Sequence, residues 1–240
     1  DGMTVEEALP WLKEHRGELL QSIREGSYMP NPVRRKEIPK PDGGVRKLGI
    51  PTVVDRVIQQ AIAQKLQNIW EPLFSDSSYG YRPKRSAGQA IQKVKEYAEE
   101  GYRYAVSVDL SKYFDTLNHE LLMNLLHKQI QDMRVLSLIK KYLKSGVMEN
   151  GVVCKTEEGS PQGGPLSPLL ANIYLNEFDW EMNNRGVKLV RYADDIVVFA
   201  KSKRAAERQL ESCRKYLEGR LRLKMNTEKS KVTSIFAVKE

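Results

Sequence analysis

The sequence predicts an α+β protein, with a smaller and largely helical first half and a second half built as a sheet backed by helices. Three observations carry this. The second half runs strand, helix, strand, strand, helix, an order that suits an antiparallel or mixed sheet. The first half shows helical periodicity with capping signals, interrupted by one hairpin signal. Internal repeats, low-complexity tracts and long linkers are lacking, and 40% hydrophobic residues in 240 suffice for a real core.

Thr4 with Glu7 reads as a capping box, and Leu9, Leu12, Leu19, Leu20 and Ile23 supply an apolar face. Pro10 and Gly17 predict two short helices there rather than one. Gly26 to Pro32 is a break. Arg34 to Lys40 and Arg46 to Ile50 flank Pro41-Asp42-Gly43-Gly44, a hairpin signal. Helical spacing returns over Val53 to Trp70 and Pro72 ends it, after which a polar loop, Ser75 to Arg85, leads to a helix over 87–99.

Tyr104 to Asp109 is a short β run ending on a carboxylate. Helices are expected over 119–130 and 134–145, with a strand over Val152 to Lys155. Gly159-Ser-Pro-Gln-Gly-Gly-Pro-Leu-Ser167 is rich in breakers, and Ser167-Pro168 starts a helix. Val187 to Tyr192 and Ile196 to Ala200 form a second hairpin with Ala193-Asp194-Asp195 at its turn. A basic helix over 203–219 and short strands near 223–225 and 231–236 follow.

Composition narrows the function. The net charge is +8, with +7 carried by residues 201–240 and +4 by residues 31–50, leaving −3 on the rest. Two basic blocks suit a polyanion held at particular places, although solvated helix faces are the commoner reason for charge runs. No apolar run approaches the roughly 20 residues of a membrane span, and no signal peptide is visible. The chain opens on Asp1 rather than Met, so its native start is expected upstream. Cys154 and Cys213 are too few for a disulfide framework, which points to a reducing, cytoplasmic setting. His15, His119 and His127 have no partner spacing, so neither a zinc site nor a hydrolytic triad is read, and no GxxxxGK[ST] loop exists.

Two adjacent aspartates at the tip of an apolar hairpin repel each other unless something positive sits there. A hard divalent cation is the obvious partner, yet by itself the motif leaves a solvated turn open as well. Asp109 adds a third carboxylate at a sheet end. If its strand lies beside the 187–200 hairpin, the three converge. That meets the need of two Mg²⁺ ions about 3.5–4 Å apart, which clamp the attacking and leaving oxygens of an in-line phosphoryl transfer.

At these residues the sequence resembles a known family. Ser107-Val-Asp109-Leu-Ser-Lys-Tyr-Phe114-Asp115, Gly159-Ser-Pro-Gln162-Gly-Gly-Pro-Leu-Ser-Pro168 and Tyr192-Ala-Asp-Asp195 look like the palm blocks of reverse transcriptases. Ile50-Pro-Thr-Val-Val-Asp-Arg56-Val-Ile-Gln-Gln60 and Ser78-Tyr-Gly-Tyr-Arg82-Pro resemble blocks typical of the enzymes encoded by group II introns. The resemblance runs over nearly the whole chain in the right order. It implies a right-hand polymerase fold, with fingers over 1–100 (helices plus a cationic hairpin near 33–50) and palm over 101–240. Part of 115–170 may be expected to return to the fingers. Asn226 to Lys231 resembles the last palm block, so the resemblance implies no thumb within the chain.

The implied roles follow residue by residue. Asp109 and Asp194 match the principal metal ligands, Asp195 the third carboxylate, and the Leu110 carbonyl a further ligand. Phe114 matches the aromatic gate against a ribose 2′-OH, with a core Phe as the plain reading. Gln162 matches a contact to the incoming nucleotide, with a plain loop as the alternative. Lys40 and Arg46 match the cations that hold the dNTP β- and γ-phosphates. Arg56, Arg82, Lys84 and Arg85 are assigned to nucleic-acid backbone, whereas Tyr79 and Tyr81 are read as packing residues. The implied partners are an RNA template, intron RNA, a DNA primer or target, and dNTPs. No membrane is implied, and a homodimer is left open. The implied activity is Mg²⁺-dependent RNA-directed DNA synthesis with an associated maturase role in splicing. An RNA-binding splicing cofactor alone, a degenerate palm, and reverse transcriptases of retron, diversity-generating or CRISPR-associated type are the alternatives.

Overall fold

The computed structural model describes residues 2–39, 43–149 and 151–234. In chain order these form α1 (Val5–Arg24), β1 (Val33–Pro39), β2 (Val45–Ile50), α2 (Val53–Trp70), α3 (Ala87–Glu99), β3 (Tyr104–Val108), α4 (His119–His127), α5 (Met133–Lys144), β4 (Val147–Glu149), β5 (Val152–Cys154), α6 (Ser167–Asn184), β6 (Lys188–Tyr192), β7 (Asp195–Ala200), α7 (Lys203–Gly219) and β8 (Lys231–Ser234). The chain divides into two compact units, Asp1–Ile69 with Phe114–Leu170, and Trp70–Tyr113 with Ala171–Glu240. Residues 114–170 thus lie with the first unit and residues 70–113 with the second. Residues 70–113 pack with the second sheet, because Tyr79 and Tyr97 bury their rings against Val190 and Phe199 there.

In the first unit, α1 is one helix where two were expected. Thr4 and Glu7 form the capping box. Pro10 removes a single intrahelical donor, and nothing stands within 4 Å of a Cβ at Gly17, so neither breaks the helix. Leu19 and Ile23 on α1 pack against Ile58, Leu138 and Tyr142. Asp55 is 1% exposed and holds the break after α1 to the start of α2. It accepts hydrogen bonds from the Tyr28 hydroxyl at 2.7 Å, the Thr52 hydroxyl at 2.6 Å and the Asn31 N–H at 3.2 Å. The sheet order is β2-β1-β4-β5, with β1 antiparallel to β2 as expected and parallel to β4. Strand β4 escaped the sequence reading, being three residues long and mostly exposed.

In the second unit the sheet order is β6-β7-β3-β8 and every pairing is antiparallel. Helix α3 begins on a capping box of Ser86 and Gln89. The expected strand near 223–225 is reduced to one bridge, Leu110 opposite Met225. On α6, Tyr174, Leu175 and Phe178 are fully buried, and the Tyr174 hydroxyl donates to the Leu221 carbonyl at 2.6 Å. No described helix is long and apolar enough to cross a membrane.

Candidate active site

The second unit settles the question left open at Asp109. Strand β3 pairs with β7 in the register Val106↔Val198, Ser107↔Val197, Val108↔Ile196. One further step along that register sets Asp109 opposite Asp195. Tyr192 and Asp195 pair across the other side of β7, leaving Ala193 and Asp194 as the two turn residues. Ala193 has φ +59°, whereas Asp194 is not among the residues with positive φ, the sign pattern of a type II′ hairpin turn. An alanine in the left-handed region is strained by about 1–2 kcal/mol, and such strain gathers at functional turns.

The backbone around Asp109 is tied on both sides. Its N–H donates to the Ser230 hydroxyl at 3.0 Å and its carbonyl accepts from the Asn226 N–H at 2.8 Å. The Ser111 N–H donates to the Lys224 carbonyl at 2.8 Å. These two backbone bonds flank the Leu110–Met225 bridge, so Leu110 occupies a non-hydrogen-bonded position. Its own carbonyl points away from Met225.

The same arrangement sets the electrostatics of the turn. The Asp195 carboxyl lies above the usual aspartate range, first because protein crowds it, then because Asp194 and Asp109 repel its ionised form. The donor set is all carboxylate and carbonyl oxygen, the chemistry of a hard cation. Among the described residues, no three His, Cys, Asp or Glu side chains are gathered closely enough to hold an ion on their own.

Beneath the turn lies a group the sequence reading missed. Arg191 and Asp179 are both fully buried and paired, with Arg191 Nη2 2.6 Å from Asp179 Oδ2 and Nε 2.9 Å from Oδ1. Arg191 Nη1 donates to the Asn172 Oδ1 and to the Ala193 carbonyl, each at 2.8 Å, and Nη2 also donates to the Ser78 hydroxyl at 2.8 Å. An arginine in the middle of Leu189-Val190-Arg191-Tyr192 was the available signal, since a charge on an apolar strand needs a buried partner. The Ser78-Tyr79-Gly80 stretch runs alongside, with the Tyr79 N–H donating to the Arg191 carbonyl and the Arg191 N–H to the Ser77 carbonyl, both at 2.8 Å. A Cβ on Gly80 would overlap the Ala193 backbone nitrogen, so glycine is required for this approach.

The loop cations differ in their surroundings. The Arg82 guanidinium is buried, pairs with Glu71 at 2.8 Å and donates to the Ser75 and Ser78 carbonyls at 2.7 and 2.8 Å. Those bonds tie the loop together. Arg85 pairs with Asp76 at 2.5 Å and lies over the Tyr79 ring, and Lys84 is exposed. Tyr79 is buried as a packing residue, whereas Tyr81 is half exposed.

In the first unit, the residues matched to the nucleotide are gathered by backbone bonds. The Ser160 N–H donates to the Phe114 carbonyl at 2.6 Å, and the Gly49 N–H donates to the Gln162 carbonyl at 2.7 Å. The Gln162 loop is thereby joined to Phe114 on one side and to the end of β2, which carries Arg46, on the other. Gly163 has φ +125°, which calls for glycine, and Gly164 lies against buried Gln59. Phe114 is partly buried, Arg46 is exposed on β2, and Arg56 is half-buried on α2. Lys40 lies outside the described residues.

Residues 38–238 match the family pattern described as Reverse transcriptase (RNA-dependent DNA polymerase). Among curated proteins, the chain is 40% identical to Protein YkfC of Escherichia coli, over 90% of this chain and 67% of that protein. It is 46% identical to the Group II intron-encoded protein LtrA of Lactococcus lactis subsp. cremoris, over 67% of this chain but 27% of LtrA. Among solved structures, telomerase from Candida albicans superposes with a TM-score of 0.66 at 15% identity, over 89% of this chain and 43% of that one. This likeness shows the polymerase fold. The chain thus spans two thirds of one relative and about a quarter of the other. A match over most of its length, with the carboxylates of its motifs brought to one sheet end, means that the chain belongs to the reverse transcriptase (RNA-dependent DNA polymerase) family.

Proposed function

We propose that this chain is the fingers and palm of a group II intron-type reverse transcriptase, synthesising DNA on an RNA template. The second unit serves as palm and the first as fingers. The observation that carries the reading is the β3–β7 register, which sets Asp109 opposite Asp195 at the Asp194–Asp195 turn. In the reaction the primer 3′ oxygen forms a bond to the α-phosphorus of a dNTP, the bond to the bridging oxygen breaks, and pyrophosphate leaves. Asp109, Asp194, Asp195 and the Leu110 carbonyl would hold two divalent ions, which supply charge neutralisation at the attacking and leaving oxygens.

The remaining residues bind and select. Arg46 and Lys40 neutralise the triphosphate, Gln162 contacts the incoming nucleotide, and Phe114 excludes a ribose 2′-hydroxyl. Arg56, Lys84 and Arg85 track template phosphates. LtrA is named as encoded by a group II intron, which favours a second, compatible role in binding intron RNA. On α7, Lys203, Arg204, Arg208 and Lys215 offer exposed cations for such binding.

The test is Mg²⁺-dependent extension of a DNA primer on an RNA template, wild type beside Asp194→Asn. Extension by the wild type alone supports the reading. Equal extension by both refutes the catalytic assignment.

A further inference from the structure

The carboxylates at the Ala193–Asp195 turn need a rigid base, because like charges drive them apart and Ala193 is itself strained. The base is unusual in its completeness. A guanidinium carries five N–H groups, and Arg191 spends each of them on a protein acceptor: Asp179 takes two, and Asn172, Ser78 and the Ala193 carbonyl take one each. Asn172 in turn donates to the Gly80 carbonyl at 2.8 Å, so one cation links α6, β6, the turn and the loop before α3. Arg191 has 0% exposure, so it reaches neither substrate nor solvent.

We propose that Arg191 is a positioning residue for the metal-binding turn: clamped on Asp179, it fixes the Ala193 carbonyl and thereby the direction in which Asp194 and Asp195 present their carboxylates. This rests on the reading of those carboxylates as cation ligands. The Arg191–Ala193 bond spans the residue of positive φ, so it resists the peptide rotation that would relax the turn. A lysine keeps the charge but has three donors on a single nitrogen, and cannot serve Asp179, Asn172, Ser78 and Ala193 together.

The test compares wild type, Asp194→Asn, Arg191→Lys and Asn172→Ala. Mn²⁺ affinity is read by electron paramagnetic resonance, half-saturating Mg²⁺ by primer extension, primer–template affinity by anisotropy, and folding by thermal melting. Loss of the support behind a metal ligand weakens metal affinity by about 10–100-fold, and Arg191→Lys is expected in that range. Its half-saturating Mg²⁺ should rise in parallel while primer–template affinity stays within twofold. A folded Arg191→Lys with wild-type Mn²⁺ affinity and Mg²⁺ dependence overturns the proposal. So does an equal loss of Mn²⁺ and primer–template affinity, which marks general damage. Should Arg191→Lys not fold, Asn172→Ala decides: it removes one of the acceptors of Arg191 together with the donor to the Gly80 carbonyl, and unchanged Mn²⁺ affinity overturns the proposal. Mn²⁺ binding by Asp194→Asn equal to wild type is a separate result, which removes the metal reading and this proposal with it.

Discussion

Replacing Gly80 by alanine tests how tightly the turn is held, because it adds one methyl group and changes no charge. The φ of Gly80 is not in the left-handed region, so alanine meets no backbone penalty there. Its Cβ would overlap the Ala193 nitrogen and stand 3.0 Å from both Ala193 Cα and the Tyr192 carbonyl carbon. All three are main-chain atoms of a paired hairpin, so no side chain can swing away. Relief requires the loop and β6 to part by about 1 Å, which carries a 2.8 Å hydrogen bond past the usual limit. The bonds at stake are Asn172 Nδ2 to the Gly80 carbonyl and Tyr79 N–H to the Arg191 carbonyl, both at 2.8 Å. Overpacking costs about 1–3 kcal/mol and each lost bond about 1 kcal/mol. A total of about 3–5 kcal/mol lowers the melting temperature by roughly 6–20 °C in a chain of this length. A 1 Å displacement of a reacting constellation slows chemistry by about a hundredfold. Calorimetry and single-turnover extension read the two effects. A Gly80→Ala protein melting within 2 °C of wild type, by the same conversion a loss below about 1 kcal/mol, refutes the reasoning.

Gly17→Ala is the converse case. With nothing within 4 Å of its Cβ inside α1, it should stabilise by about 1 kcal/mol in a denaturant titration. Asp194→Asn should stabilise the metal-free protein at low salt by up to about 1 kcal/mol, read by thermal melting, because it removes a charge that repels Asp195 at a solvent-screened site. A gain that persists unchanged in high salt argues against repulsion. The raised Asp195 carboxyl contributes stability below its unfolded value, and that stability is lost as pH rises through the higher folded value. Cations bind the ionised form, so Mn²⁺ affinity should strengthen as pH rises across this window, and a flat titration contradicts it. Burial holds His119 below the usual histidine range while one ring nitrogen meets the Gly159 carbonyl at 2.6 Å. Unfolded chains then take up the proton first, so stability should fall as pH drops below about 6.5. His119→Gln should flatten that part of the curve.

Much of this protein was legible in its sequence. The antiparallel pairing of β1 with β2, the helix over Val53 to Trp70 and the Ala193-Asp194-Asp195 turn each follow from local signals, whereas Pro41 and Asp42 lie outside the described residues. Pro10 misled because a local breaker was weighed without the packing of Leu19 and Ile23, which holds α1 in one piece. Strand β4 escaped because three residues carry no period. The sequence gives no sign of the partners of Arg82, Glu71 and the Ser75 and Ser78 carbonyls, because only the folded loop brings them together.

The sequence by itself determined where the residues proposed to carry the chemistry lie along the chain: the carboxylates Asp109, Asp194 and Asp195 at the ends of apolar strands, and the glycine-flanked Gln162. Local propensity and residue type suffice for that, because a strand end and a turn are set by neighbours along the chain. The tertiary structure alone decided that β3 lies beside β7 in the register that sets Asp109 opposite Asp195. It alone decided that 70–113 belongs with the sheet, and that Arg191 is buried on Asp179. Register and buried pairing join residues many positions apart. They are fixed by burying apolar faces together and by satisfying every buried donor, conditions that only the packed chain can meet.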